Sequence, residues 1–254
     1  MTLIKTEEEI KILREGGKRL AFIMAQLKKA VVVGISTKEL DQLTEKLIRD
    51  GGDEPSILNY KPDGASYPFP ASVCISINDE IVHGIPGERK LEDGDIVSFD
   101  FCLTHKKLIT DGAITVLVGD VVPEIKKLVN VTKSALEVGI KVARPGKRLG
   151  DIGHAIEMCA RQHGYGVIRE LGGHGVGHCV HEEPFVQNFG KPGEGLLLEP
   201  GMVIALEPMF TLGSRNIEVL KDGYTIVTRD HSPSAHFEHT IAITKDGHKV
   251  LTAE

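Results

Sequence analysis

The chain has no apolar run approaching the roughly 20 residues that a membrane-spanning helix needs, and its opening MTLIKTEEEIKILREGG is charged from Lys5 onward. That excludes the pattern of a signal peptide or membrane anchor, and a cytoplasmic location is expected. Positive charge is not in excess either: 30 Lys and Arg stand against 36 Asp and Glu, a formal charge of -6. A nucleic-acid binder needs a basic face, so that class of partner is not expected. Cysteine is scarce. Cys74, Cys102, Cys159 and Cys179 show no CxxC spacing and each lies in an apolar context, which predicts reduced packing thiols rather than bridges or a zinc knot. The 41% of hydrophobic residues is enough for a full core.

Thr6 with Glu9 reads as a capping box, followed by Ile10, Leu13, Gly17, Leu20, Met24 and Leu27 at helical spacing. A second box, Ser36 with Glu39, opens a helix with Leu40, Leu43, Leu47 and Ile48 on its apolar face, closed by Gly51 and Gly52. The same grammar returns after Pro123, with Ile125, Leu128, Thr132, Ala135 and Leu136 inward, and again with Leu149, Ile152, Ile156 and Cys159. Gly34 to Gly52 and Gly146 to Gly164 are both steps of 18 residues, and the segments align without a gap. A duplicated unit explains this, with chance similarity of two amphipathic helices as the competing reading. Each helix pair precedes β-branched, glycine-punctuated runs, so an α+β fold is expected: one catalytic domain, 1–254, in two pseudo-repeat halves, about 1–121 and 122–254. A site would then lie in the crease between sheets.

Three acids interrupt strands that otherwise read as core: Asp100 in DIVSFDFCL, Glu207 in GMVIALEPMF and Glu238 in SAHFEHTIAI. Burying an unpaired carboxylate costs several kcal/mol. Taken singly, each also fits a solvated strand edge. Asp111, eleven residues after Asp100 across a hairpin turn, is expected to face it from the next strand. With His174 the set offers four negative charges and one imidazole, which two divalent cations would neutralise. Such oxygen-rich donors suit manganese, iron, cobalt or zinc.

The stretch GGHGVGHCVHEEPF, Gly172 to Phe185, is too glycine-rich for a zinc-binding helix and is expected to be extended. In a regular strand His174 and His181 point to opposite faces, so a kink is required to unite them. His178 reads as a packing or surface histidine, and Glu182 with Glu183 as a solvated or capping pair.

Together SVCISINDEIVHGIP, GDIVSFDF, Asp111, GGHGVGHCVHEEP, PGMVIALEP and SAHFEHTIAIT resemble, over nearly the whole chain, the type I, bacterial-like methionine aminopeptidases. The resemblance implies a pita-bread fold with an antiparallel sheet covered by helices. It implies a dinuclear metal site in which Asp100, Asp111, His174, Glu207 and Glu238 are ligands, Asp111 and Glu238 bridging. Its substrate is a peptide or nascent protein beginning with methionine, whose free amine ligates a metal. A bridging water, acidified toward neutrality, becomes the hydroxide that attacks the first carbonyl. Glu207 takes its proton, His181 donates to the developing oxyanion, and His83 serves the scissile nitrogen or leaving amine. A monomer is implied; ribosome association suits such an enzyme, though no residue pattern encodes it.

The chain departs from the type I pattern in the long, proline-rich SILNYKPDGASYPFPA, where Tyr67 and Phe69 are expected to wall the methionine pocket with Cys74 and Tyr224. Tyr224 stands where tryptophan is common in the family, and His178 where arginine is. Rival readings within the fold are a prolidase or X-Pro aminopeptidase, a metal-independent creatine hydrolase, and a non-enzymatic binding relative.

Overall fold

In the computed structural model, which describes residues 3–253, both capping boxes form. Thr6 opens α1 (Glu7–Ala30) and Ser36 opens α2 (Thr37–Asp50), each accepting the backbone N–H three residues on while the glutamate there returns the bond. Pro123 sits at the start of α3 (Pro123–Val142), where a missing N–H costs nothing. Helix α4 (Leu149–His163) stops at Gly164 in the left-handed conformation. The anticipated faces are turned inward, with Leu13, Leu20, Leu40, Leu128 and Ile152 fully buried, and Leu43, Leu47, Leu149 and Cys159 at the half-buried margin.

Among the described residues, nine antiparallel strands form the main sheet. Its path runs Glu54–Pro55, Ile96–His105, Leu108–Leu117, Glu238–Thr244, Val203–Leu206, Gly173–Gly175, Glu182–Val186. Cys74–Ile77 also pairs with Ile96–His105, and Gly247–Val250 with Glu238–Thr244. Helix α1 packs on the two long central strands and on α2, while α3 packs on α4 and on the sheet around Val203–Leu206 and Glu238–Thr244. In both helix pairs the residue that caps the second helix, Ser36 or Arg148, bridges to a later segment, at Lys90 or Leu197. Two small sheets of three strands lie beside the main one.

Two neighbouring strands leave the main sheet together. Leu206 lies opposite His239 in the large sheet, and just beyond, Met209 lies opposite His236 in a small one. The bends between hold Glu207, Pro208 and Phe237. Proline has no N–H to continue a ladder, and Pro208 instead accepts from the Phe237 N–H. The expected continuous strand through Glu207 is therefore broken at that residue.

The C-terminal segment lies against α1 at a position where only glycine fits. A β-carbon on Gly17 would stand 2.2 Å from the backbone oxygen of Leu251. Gly17→Ala is expected to destabilise the protein by about 1–3 kcal/mol, read as a lower urea midpoint at unchanged m-value. An unaltered midpoint would show that the segment moves aside freely.

Candidate metal centre

The hairpin between Ile96–His105 and Leu108–Leu117 turns at Lys106 and Lys107, both at positive φ as a two-residue turn of this kind requires. That turn sets the register. Asp111 lies opposite Cys102, and Asp100 opposite Ala113, so the two acids are diagonal neighbours on one face rather than the facing pair expected. Cys74 sits on the far side of Asp100, and Glu238 on the far side of Ala113. One rung of the sheet thus reads Cys74, Asp100, Ala113, Glu238, with Cys102 and Asp111 beside it. Residues that share a rung share a face, so three carboxylates emerge on the same side. Glu207 reaches that side from the bend next to Glu238.

His174, at the middle of the Gly173–Gly175 strand, comes to the same place. Its Nδ1 donates to the Gly175 carbonyl at 2.9 Å. That fixes the tautomer and leaves the Nε2 lone pair free. Nε2 lies 3.5 Å from a Glu207 oxygen and 3.9 Å from an Asp111 oxygen. Ligand atoms of Asp111, His174 and Glu238 all lie within 4.8 Å of one another. All five sequence-predicted ligands line a single cavity of about 560 Å³.

The electrostatics are unfavourable for these acids alone. Burial first, and the charge of Asp111 second, push the Asp100 carboxyl well above the ordinary range. Burial pushes Glu207 up likewise, with Asp100 the next cause, and Glu238 up, with Asp111 the next. Glu238 Oε1 is buried without a hydrogen-bond partner. An orphaned acceptor among repelling carboxylates and one free imidazole nitrogen fits the requirements of divalent cations with oxygen and nitrogen ligands.

The histidine stretch is extended over Gly173–Gly175 and Glu182–Val186 but bends between them. Gly177 has φ +144°, a conformation closed to other residues, and the chain turns there. The bend supplies the kink that strand alternation forbids: the His181 ring stands edge-on to His174 at 4.6 Å between centroids. His83 joins from the end of the Glu80–Val82 strand at φ +59°, a strained position for a non-glycine residue. Burial pulls the His83 pKa down to about 4, with His181 nearby as the second cause. His181 is also lowered, by burial and then by His174.

Of the predicted wall residues, Phe69, Cys74 and Tyr224 line the cavity. Tyr67 does not. It packs edge-on against Tyr224 at 5.2 Å and donates its hydroxyl to the Asp222 carbonyl, bracing the wall from behind. Cys74 and Cys102 are buried reduced thiols, whereas Cys159 and Cys179 are only half-buried, short of the core positions expected. His178 is outside the cavity and bonds Glu9 through Nε2 at 2.7 Å. Glu183 is exposed, but Glu182 corrects the solvated reading: its carboxylate is buried against Lys5.

Two residues close to the predicted ones escaped the sequence analysis, Tyr60 in the cavity lining and His236 beside Glu207 but outside that lining. The Tyr60 hydroxyl lies 3.5 Å from His181 Nδ1, yet nothing in the proline-rich loop distinguishes Tyr60 from Tyr67. His236, with Nε2 3.7 Å from Glu207, did carry a signal, being a histidine in an apolar strand two residues before a candidate ligand.

The chain matches metallopeptidase family M24 over residues 11–245. Methionine aminopeptidase 1 of Bacillus subtilis is 45% identical over 252 residues, 99% of each chain, and the methionine aminopeptidase of Clostridium perfringens 42% identical over the same share. The crystal structure of methionine aminopeptidase from Rickettsia prowazekii superposes with a TM-score of 0.94 at 40% identity, covering 98% of both chains. Prolidase from Pyrococcus furiosus shares the pita-bread fold, with a TM-score of 0.78 at 22% identity, and this chain spans 66% of it. By its match over most of its length and its end-to-end relatives, the chain belongs to metallopeptidase family M24, in the group of the bacterial methionine aminopeptidases.

Proposed function

We propose that the protein hydrolyses the first peptide bond of peptides and nascent proteins that begin with methionine, releasing the methionine. The observation that carries this is the convergence of Asp100, Asp111, His174, Glu207 and Glu238 on one cavity, with Glu238 Oε1 lacking any protein partner. Those five residues would hold two divalent ions of the manganese, iron, cobalt or zinc group. When bound, the ions supply Lewis acidity and make a water molecule acidic enough to attack at neutral pH. Glu207, which lines the same cavity, would receive the proton that the attacking water loses. His181, brought over by the bend at Gly177, donates to the carbonyl oxygen as negative charge develops there. His83, held neutral, contacts the scissile nitrogen and assists protonation of the leaving amine. Phe69, Cys74 and Tyr224 form an apolar wall suited to a thioether side chain, with Tyr67 behind Tyr224.

The same reading makes the chain a single catalytic domain of two pseudo-repeat halves, about 1–121 and 122–254, residues 1, 2 and 254 lying outside the described part. The matching bridges at Ser36 and Arg148 support that duplication. It also makes the protein a cytoplasmic monomer that meets its substrates as they leave the ribosome. Among the described residues no helix is long and apolar enough to cross a membrane.

Incubated with Met-Ala-Ser and Mn(II) or Co(II), the protein is expected to release methionine, to stop after chelation, and to leave an X-Pro dipeptide intact. A protein equally inert with and without metal would contradict the proposal. Replacing His181 by alanine is expected to lower kcat by about 100-fold with little change in Tm; full activity in that variant would remove His181 from the mechanism.

A pH dependence follows from the raised carboxyls. Without metal, Asp100, Glu207 and Glu238 bind protons more tightly folded than unfolded. Their contribution to stability is therefore present at acid pH and lost as pH rises above the ordinary carboxylate range. Divalent ions displace those protons. The rise in Tm on adding Mn(II) is expected to be larger at pH 7.5 than at pH 5.5, and an equal rise at both would contradict the coupling.

A further inference from the structure

Lys5 lies just ahead of α1, yet its side chain is only 1% exposed and its ammonium meets Glu182 Oε2 at 2.6 Å. Glu182 follows His181 directly. Its second oxygen accepts the backbone N–H groups of His178 and Cys179, at 2.5 and 3.0 Å, closing the bend that carries His181. The lysine stem fills the space beside Gly177, where a β-carbon would stand 2.7 Å from Lys5 Cε. The Lys5 N–H in turn donates to the Gly201 carbonyl at 2.8 Å, and Ile4 bridges to Met202, just before the strand that leads to Glu207. Below the bend, His178 Nε2 is held by Glu9 of α1.

A buried ion pair contributes little net stability, because desolvation takes back most of the attraction. Its effect here is geometrical. The carboxylate pulls two N–H groups of the bend toward itself, and Lys5 fixes the carboxylate.

We infer that Lys5 and Glu182 form a positioning pair that holds the Gly177–His181 bend closed, so that His181 projects beside His174 into the cavity. The inference rests on the role proposed above for His181. Lys5 is not among the cavity-lining residues; it acts through Glu182 and the bend. Because an oxyanion donor matters in the transition state and little in the substrate complex, its displacement lowers kcat and spares KM.

The test uses the full chain loaded with Mn(II). Lys5→Met is expected to lower kcat on Met-Ala-Ser about tenfold, displacements on the order of 1 Å costing up to about 100-fold, with KM within about twofold. Amide exchange at His178 and Cys179 is expected to quicken. In a His181→Ala background Lys5→Met is expected to cost nothing further, since the group it acts through is gone. Should Lys5→Met fail to fold, Glu182→Gln is measured in the same cycle with the same expected pattern. Wild-type kcat in the pair variant, or an equal loss with and without the His181 side chain, overturns the inference alone. A His181→Ala enzyme as active as the parent overturns the role of His181 and this inference with it.

Discussion

Repulsion among carboxylates that share one buried space is the constraint to which the rest of this structure answers. Oxygen atoms of Asp111 and Glu238 lie within 4.8 Å of each other, and two unit charges at that separation repel by about 3 kcal/mol at an effective dielectric constant near 20. Asp100 and Glu207 add to the same field. A protein whose whole stability is about 5–15 kcal/mol does not carry such an arrangement ionised and unpaired. Either the acids hold protons or cations stand between them. On the proposed reading, passage between the two states exchanges protons for metal.

A sheet is well suited to bearing that repulsion. The acids are fixed by backbone register rather than by their own contacts, since Asp100, Ala113 and Glu238 occupy consecutive places on one rung with Asp111 diagonal to it. Thr240 adds a second hold: its hydroxyl accepts the Asp111 N–H and donates to the Asp111 carbonyl. Moving one ligand away from the others would break ladder bonds on both sides. The two strands that carry Glu207 and Glu238 also change sheets together, so the bends that aim these acids brace one another through Phe237 and Pro208. Rigidity of this kind is what a site needs when its ligands gain nothing from approaching one another unaided.

The parts of this design legible in the sequence are those written in short-range chemistry. The capping boxes at Thr6 and Ser36 and the apolar spacing after Pro123 have local causes, and the helices they predict are present. An acid inside a β-branched run is also a local anomaly, and Asp100, Glu207 and Glu238 declared themselves that way. The pairing of Asp100 with Asp111 did not follow from loop length alone. The two-residue turn at Lys106 and Lys107 decides whether acids eleven apart are opposite or diagonal, and its backbone signs are not spelled out by a lysine pair. Tyr60 against Tyr67, and Glu182 against Glu183, were decided by tertiary packing: Tyr60 lines the cavity while Tyr67 bonds Asp222, and of two glutamates that both line the cavity Glu182 is the one paired with Lys5.

The lowered basicity of the two cavity histidines completes the charge balance. On the proposed reading, four carboxylates would offset two divalent ions, leaving a site without net charge. An imidazolium at His83 or His181 would add positive charge beside those ions and be repelled by them. Burial disfavours that form beforehand, lowering the His83 pKa to about 4 and lowering that of His181 as well. Each histidine then offers a neutral N–H, a donor that strengthens as the substrate oxygen or nitrogen becomes more basic. The strained backbone at His83 and the bend at Gly177 bring both histidines to the one cavity. On the proposed mechanism they would place donors where charge develops, His83 through a positive φ and His181 through the turn at Gly177.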